Sequence, residues 1–298
     1  MDEAQHRPVM PSEVLRELDP RPGQIMLDAT VGLGGHAALI LERLLPGGRL
    51  VGIDRDAEAL SMAERRLRQV GSGFFLQRGK FSEIRRALGA AGVREEGGLH
   101  GILFDLGVSS YQLDMPPRGF SFSREGPLDM RMDPGAGESA AEFLAHAPLQ
   151  EIERILREYG EEPAARRIAR AIDRRRREGS LRTTLDLAQA VEEVLPRRGG
   201  KIHPATRTFQ AVRIAVNDEL AELRQALLEL DRFLAPGGRV VILSYHSLED
   251  RLVKEAFRER AREGIFDVTS KLERPGREEI EENPRSRSAR LRAAVRRA

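Results

Sequence analysis

Apolar positions along this chain fall into two kinds of run. Short, largely apolar ones at residues 25–29, 50–53, 74–76, 101–104 and 239–243 have the length of strands buried on both faces, as in a parallel sheet. Between and after them, apolar residues recur at three- and four-residue steps, the period of a helix with one buried stripe. Leu149, Ile152, Ile155, Leu156 and Tyr159 share one such face. Ile168, Ala169 and Ile172 share a second, and Leu185, Ala188, Val191, Val194 and Leu195 a third, with Thr183 or Thr184 as its cap. From Phe209 to Leu234 the pattern predicts one long helix or two nearly collinear ones, stopped by Pro236-Gly-Gly238. Residues 265–271 and 290–296 predict a closing antiparallel pair. Strands alternating with helices mean an α/β fold, here with its sheet interrupted in sequence by a helical insert and rejoined in space.

The first strand runs into Asp28-Ala-Thr-Val-Gly-Leu-Gly-Gly-His36 and a helix, and the second ends in Asp54, twenty residues after Gly34. Glycines there permit a tight turn close to a ligand, and an acid closing the second strand is placed for a ribose diol. Adenosine binding follows, and two cofactor classes share the pattern. Asp28 at the mouth of the loop opposes a pyrophosphate and suits the ammonium of a methionine moiety. Ala37 also stands where the dinucleotide fingerprint has its third glycine. The methyl donor is therefore favoured over NAD. Asp105 ends the fourth strand, where open α/β sheets bind ligands, and is a candidate proton acceptor or else a helix cap or loop tether.

Composition narrows the class. The 298 residues, 40% hydrophobic and 32% charged, suffice for two domains with real cores. No apolar stretch nears the roughly eighteen residues of a membrane span, and the N-terminus lacks signal-peptide character, so a cytoplasmic protein with no membrane partner is expected. Zero cysteines exclude disulfides, thiolate metal sites and a cysteine nucleophile; no metal centre is expected. Formal charge is only +2, but the pI of about 9.2 reflects clustered arginines. Arg166, Arg167, Arg170 and Arg174 to Arg177 form one cluster, Arg197, Arg198, Lys201 and Arg207 a second, and Arg285, Arg287, Arg290, Arg292, Arg296 and Arg297 a third along a strand edge. Each reads as a solvated face or as part of a polyanion-binding surface. Residues 116–133, rich in Pro, Gly and aromatics, are too apolar for a linker and predict an ordered lid. Its Phe120 and Phe122 either stack on an extruded base or plug the lid onto the sheet. Asp129, Arg131 and Asp133 suggest a salt-linked brace, Arg118 and Arg124 phosphate ligands, and Asn217 a helix cap.

Several longer stretches carry a resemblance. They include His6-Arg-Pro-Val-Met10, Asp28 to His36, Asp105-Leu-Gly-Val-Ser-Ser110, Arg118-Gly-Phe-Ser-Phe122, Gly126-Pro-Leu-Asp-Met-Arg-Met-Asp133, Tyr159-Gly-Glu-Glu162, His203-Pro-Ala-Thr-Arg-Thr-Phe-Gln210, Ser244-Tyr-His-Ser-Leu-Glu-Asp-Arg251 and Asn283-Pro-Arg-Ser-Arg-Ser-Ala-Arg-Leu291. In these the chain resembles the bacterial ribosomal RNA small-subunit methyltransferase H family, formerly called MraW. The resemblance implies an α/β, class I S-adenosylmethionine-dependent methyltransferase: a Rossmann-like, mostly parallel seven-stranded sheet from residues 1–112 and 213–298, with an all-α insert at 113–212. It implies S-adenosylmethionine as donor and the N4 of a cytidine in 16S rRNA of the small ribosomal subunit as acceptor. Carried over residue by residue, the cofactor contacts are Gly34, Gly35, His36, Asp54, Phe81, Asp105 and Gln112. Asp105 and His246 are the catalytic candidates. Arg118, Phe120, Phe122, Arg285, Arg287 and Arg290 are the RNA candidates. Val31, Tyr111 and Tyr245 depart from the family's usual aromatic, proline and phenylalanine. A catalytically silent RNA-binding module and an NAD-dependent oxidoreductase are the alternatives, and dimerisation is left open.

Overall fold

The computed structural model describes residues 7–196 and 203–298. His6, Arg197, Arg198 and Lys201 lie outside the described residues. The first stretch alternates α1 (Pro11–Leu18), β1 (Ile25–Asp28), α2 (Gly35–Leu44), β2 (Arg49–Asp54), α3 (Ala57–Val70), β3 (Phe74–Arg78), α4 (Ile84–Ala90) and β4 (Leu99–Asp105). Helices follow: α5 (Ser110–Asp114), α6 (Ala140–His146), α7 (Leu149–Glu158), α8 (Ala165–Arg177), α9 (Thr184–Glu192) and α10 (Thr206–Asn217). The chain ends with α11 (Glu219–Phe233), β5 (Leu234–Ser244), α12 (Ser247–Arg262), β6 (Phe266–Glu273), α13 (Arg277–Glu282) and β7 (Arg290–Arg296). These divide into two compact units, Met1–Gly107 with Leu220–Ala298, and Val108–Glu219.

Among the described residues the strands of the first unit form one seven-stranded sheet of order β3-β2-β1-β4-β5-β7-β6. It is the expected α/β sheet: β7 runs antiparallel to β5 and β6, and the remaining pairs are parallel. Successive residues on a strand point to opposite faces, and both faces are covered. Leu27, Ile102, Phe104 and Val240 pack with Leu223, Leu227, Leu230, Val253 and Phe257 of α11 and α12. Met26, Leu103 and Val241 pack on the other side with Ile40, Leu41 and Leu44 of α2 and Leu60 and Leu67 of α3. This double burial is why the strands read as continuous apolar runs. Each fully buried Leu or Ile contributes about 1.5–3 kcal/mol.

Two expectations need correcting here. Pro236-Gly-Gly238 does not stop a helix: α11 ends at Phe233, and the Pro-Gly-Gly lies inside β5 where its register against β4 shifts between Leu99 and Gly101. The long amphipathic run is two helices, broken by Asp218 in the left-handed conformation (φ 53°). Nor is β7 an edge strand, since β5 and β6 flank it; the third arginine cluster cannot line an edge. No helix among the described residues is long and apolar enough to cross a membrane.

The second unit has its own core, built from Leu144, Ile152, Ile155, Leu156, Ile168, Ile172, Leu187, Val191 and Val212. It extends several residues beyond the 113–212 read from sequence at each end. Thr183, not Thr184, caps α9, accepting from Asp186 N while the Asp186 carboxylate accepts from Thr183 N. The Pro- and Gly-rich loop is ordered by backbone pairing. Met130 N donates to Arg118 O, Leu128 N to Arg182 O and Thr184 N to Gly126 O. Gly119 is required there: its φ is +74°, and a Cβ would sit 2.5 Å from Pro127 O. Met130, fully buried, takes φ 60°, a conformation costing on the order of 1–3 kcal/mol that persists only where the surroundings impose it.

Asn217 imposes it. Its Oδ1 accepts from Met132 N at 2.8 Å and its Nδ2 donates to Met130 O at 2.8 Å, so the last residue of α10 staples the loop rather than capping a helix. Asn217→Ala is expected to leave both buried backbone groups without these partners, at about 1–3 kcal/mol each. Thermal unfolding should shift down and the Met132 amide should lose hydrogen-exchange protection, whereas unchanged protection would show that the loop is held by its other contacts.

Candidate functional site

The parallel part of the sheet reverses its winding between β1 and β4, and the carboxyl ends of the strands there carry acids: Asp28 closes β1, Asp54 β2 and Asp105 β4. Parallel register puts neighbouring strand ends side by side, Asp28 opposite Gly52 and Leu103. The glycine loop crosses this crest. Gly34 is the left-handed cap of α2 (φ +78°), and a Cβ on it would come within 3.1 Å of Ala63 Cα and Cβ. Gly35 and His36 form the first turn of α2, with His36 buried.

Each acid is held by the backbone around it. Asp28 Oδ1 accepts from Thr30 N at 3.0 Å. Asp54 Oδ2 accepts from Gly32 N at 2.7 Å and Oδ1 from Asp56 N at 2.9 Å, so the acid read as a ribose ligand also shapes the glycine loop. Asp105 donates its N–H to Thr30 Oγ1 at 2.6 Å, and its Oδ1 accepts from the Tyr245 hydroxyl at 2.7 Å. Its other oxygen lies 3.6 Å from His36 Nε2.

Burial decides the protonation of this cluster. Desolvation pushes Asp28 up to about 7, with the charges of Asp105 and Asp54 adding to it. It pushes Asp105 up to about 7 as well, against the Tyr245 hydrogen bond and with help from the Glu249 charge. Asp54 is raised for the same first reason, opposed by the hydrogen bonds from Asp56 and Gly32. Tyr245 is raised well above its ordinary value by burial and then by Asp105, so the phenol remains a donor. The arrangement favours cationic or hydroxyl-bearing ligands and disfavours an added anion. Phe81 follows β3 and meets Phe104 edge to face, centroids 5.9 Å apart, beside the same strand ends.

The remaining sequence candidates separate. His246 caps α12: its Nδ1 accepts from Glu249 N at 3.4 Å while Glu249 Oε2 accepts from Tyr245 N at 2.8 Å. Gln112 belongs to the second unit, where Ser109 and Gln112 form the capping box of α5. Arg118 is a correction. It is buried, and its guanidinium donates to Arg131 O and Met132 O at 3.1 and 3.0 Å, bracing the loop instead of facing phosphate. Phe120 is also a core residue, with Arg118 over its ring at 5.9 Å. Phe122 has one face against His203, centroids 4.3 Å apart, and meets Phe209 edge to face. Phe120 is thus interior to the second unit's core, and Phe122 is partly buried against that same core. The expected Asp129–Arg131 brace is present at 2.8 Å.

Among the arginines, Arg290 and Arg292 clamp Asp250 at 3.1 and 2.7 Å, whereas Arg285 and Arg287 sit exposed on the turn Pro284–Ser288. In α8, Arg174 and Arg175 share Glu193, and Arg176 and Arg177 share Asp173. In the sequence Tyr245 is marked only as a departure from the family, and Thr30 and Glu249 carry no signal of a role. All three lie inside quoted motifs, but nothing in their spacing shows that they converge on Asp105.

Comparison with known proteins matches residues 3–297 to the profile of the MraW methylase family. A protein of Methylococcus capsulatus named ribosomal RNA small subunit methyltransferase H is 51% identical, over 97% of this chain and 100% of its own. Proteins of the same name from Rubrobacter xylanophilus and Pelobacter propionicus are 49% identical, over 100% of this chain and 98% of theirs, and 48% identical, over 97% of each.

A carboxylate raised on folding stabilises the protein only while protonated, so its contribution is full below the unfolded value and lost as pH rises through about 7. Asp105→Asn should therefore unfold at a higher temperature than the parent near pH 8, with the gap narrowing toward about pH 5. Tyr245→Phe removes the bond that pulls Asp105 down and should steepen the parent's loss of stability above neutrality. Calorimetric melts across pH check both; parallel curves for all three proteins would contradict the assignment.

Proposed function

Because this chain belongs to the MraW methylase family, we propose that it transfers the methyl group of S-adenosylmethionine to small-subunit ribosomal RNA, at the exocyclic N4 of one cytidine. The observation that carries the reading is the acidic crest. Asp28, Asp54 and Asp105 fit a ligand bearing an ammonium and a ribose diol and repel a diphosphate, which speaks for the sulfonium donor and against NAD. Asp54 would take the ribose hydroxyls, with Gly34, Gly35 and His36 along the amino-acid side, Phe81 against the adenine, and Gln112 a further donor contact by resemblance. The donor supplies an electrophilic methyl on a positively charged sulfur.

The chain must do the rest. The lone pair of a cytosine N4 is delocalised into the ring, and hydrogen-bond acceptors at its N–H groups draw it back onto nitrogen. Asp105 suits that task, since Tyr245 occupies Oδ1 and leaves Oδ2 to accept from the amine. With its ionisation near 7 it can also receive the proton that the methylated amine gives up. Orientation contributes more: holding nitrogen and methyl in line is worth about 7–11 kcal/mol, against about 3–5 kcal/mol for a general base. His246 would act by fixing α12 and the Tyr245 turn.

The deciding experiment incubates the protein with radiolabelled donor and small subunits lacking the modification, then maps the label. One labelled cytidine, N4-methylated, is the expected result. Label on another base, or none despite RNA binding, would overturn the reading, the second outcome in favour of a silent RNA-binding module. Calorimetric titration should show binding of S-adenosylmethionine and not of NAD. Asp105→Asn should lower kcat by roughly 10²-fold or more and abolish the acid limb near neutrality; Asp54→Asn should chiefly weaken donor affinity.

A further inference from the structure

The face of the first unit formed by α12, β6 and β7 carries a groove with a cavity volume of about 510 Å³ that the donor site leaves unused. Lys254, Arg258 and Arg262 line it from α12 at four-residue steps, and Lys271 from β6. Among the described residues none of these four side chains makes an ion pair. The one acid that lines the groove, Asp267, is already paired with Arg297 at 2.6 Å, and Arg292 in its wall is paired with Asp250 at 2.7 Å. Three like charges at i, i+4 and i+8 weaken a helix by a few tenths of a kcal/mol per pair, so the stripe does not serve α12 itself. Glu255 and Glu259, which would have neutralised it if interleaved, lie off the groove. The aromatic rings of the groove, Phe257 and Phe266, are buried against each other edge to face and expose no surface on which a base could stack.

We propose that this groove binds the phosphodiester backbone of the RNA substrate, away from the reacting nucleotide and without reading its sequence. It rests on the reading that RNA is the acceptor. Cations without partners, neutralised acids and an absence of exposed rings are the attributes of a surface that positions by charge. Four phosphates held there would release their counterions, each adding about 0.7 (single strand) to 0.9 (duplex) to the slope of log affinity against log salt.

Filter binding of unmodified small-subunit rRNA transcript across a salt series tests this. Arg258→Gln with Arg262→Gln should make the slope shallower by about 1.4 to 1.8, and adding Lys254→Gln and Lys271→Gln should double the effect. Arg43→Gln with Arg224→Gln, exposed on α2 and α11, changes net charge equally and should leave the slope near the parent's. Equal slopes for the two double variants overturn the proposal. Donor affinity should match the parent in every variant, because none of these residues touches the acidic crest, and melting temperature should not fall, since relieving the like-charge pairs of α12 can only help that helix. Normal label transfer with an unmoved slope removes the groove and keeps the proposed activity; a shallower slope with no label transfer by the parent does the reverse.

Discussion

Three carboxylates at the ends of adjacent strands, Asp28 fully buried and Asp54 and Asp105 partly so, are the constraint around which the first unit is organised. Left to themselves Asp28, Asp54 and Asp105 would either take up protons or pull the strand ends apart. They stay because two apolar layers fix the strands from both faces and because backbone N–H groups of Thr30, Gly32 and Asp56, with the Tyr245 hydroxyl, donate to them. The result is a site whose own chemistry is incomplete: it holds negative charge that a cationic, hydroxylated ligand would neutralise. Function at such a place costs stability above neutral pH, as is common where ionisations are shifted for use.

The second unit solves a different problem. Its loop of Pro, Gly and Met has little secondary structure, yet it is fixed by Asn217, by the buried Arg118 guanidinium and by the Asp129–Arg131 pair. Charged and polar side chains do internal work here that their composition advertises as surface work. The same holds for α8, where the run of arginines is largely consumed by Glu193 and Asp173. Beside the exposed Arg166, Arg170 and Arg287 of the arginine clusters, unspent positive charge is found on α12 and β6, in residues that no sequence cluster singled out.

Much of the fold was legible in the order of residues. Strand runs, the glycine loop, the acids ending the second and fourth strands and the antiparallel closing pair all rest on local periodicity or on spacing within a strand-loop-helix unit, which the chain states directly. Misreadings came where partners distant in sequence decide. Pro236-Gly-Gly looks like a helix stop and is an irregularity in β5, because pairing with β4 overrides a local turn preference. The arginines of β7 looked like an edge, and β6 folds outside them.

By itself, then, the sequence determined the α/β class, the family, the glycine loop and the acids at the neighbouring strand ends, because those depend on residue type and short-range period. Only the tertiary structure decided that Tyr245 and Thr30 converge on Asp105, that Arg118 and Phe120 are interior, and which arginines keep their charge free. A side chain's ionisation and availability depend on what desolvates it and what sits opposite, and those neighbours come from other elements, 140 residues away for Tyr245 and 75 for Thr30.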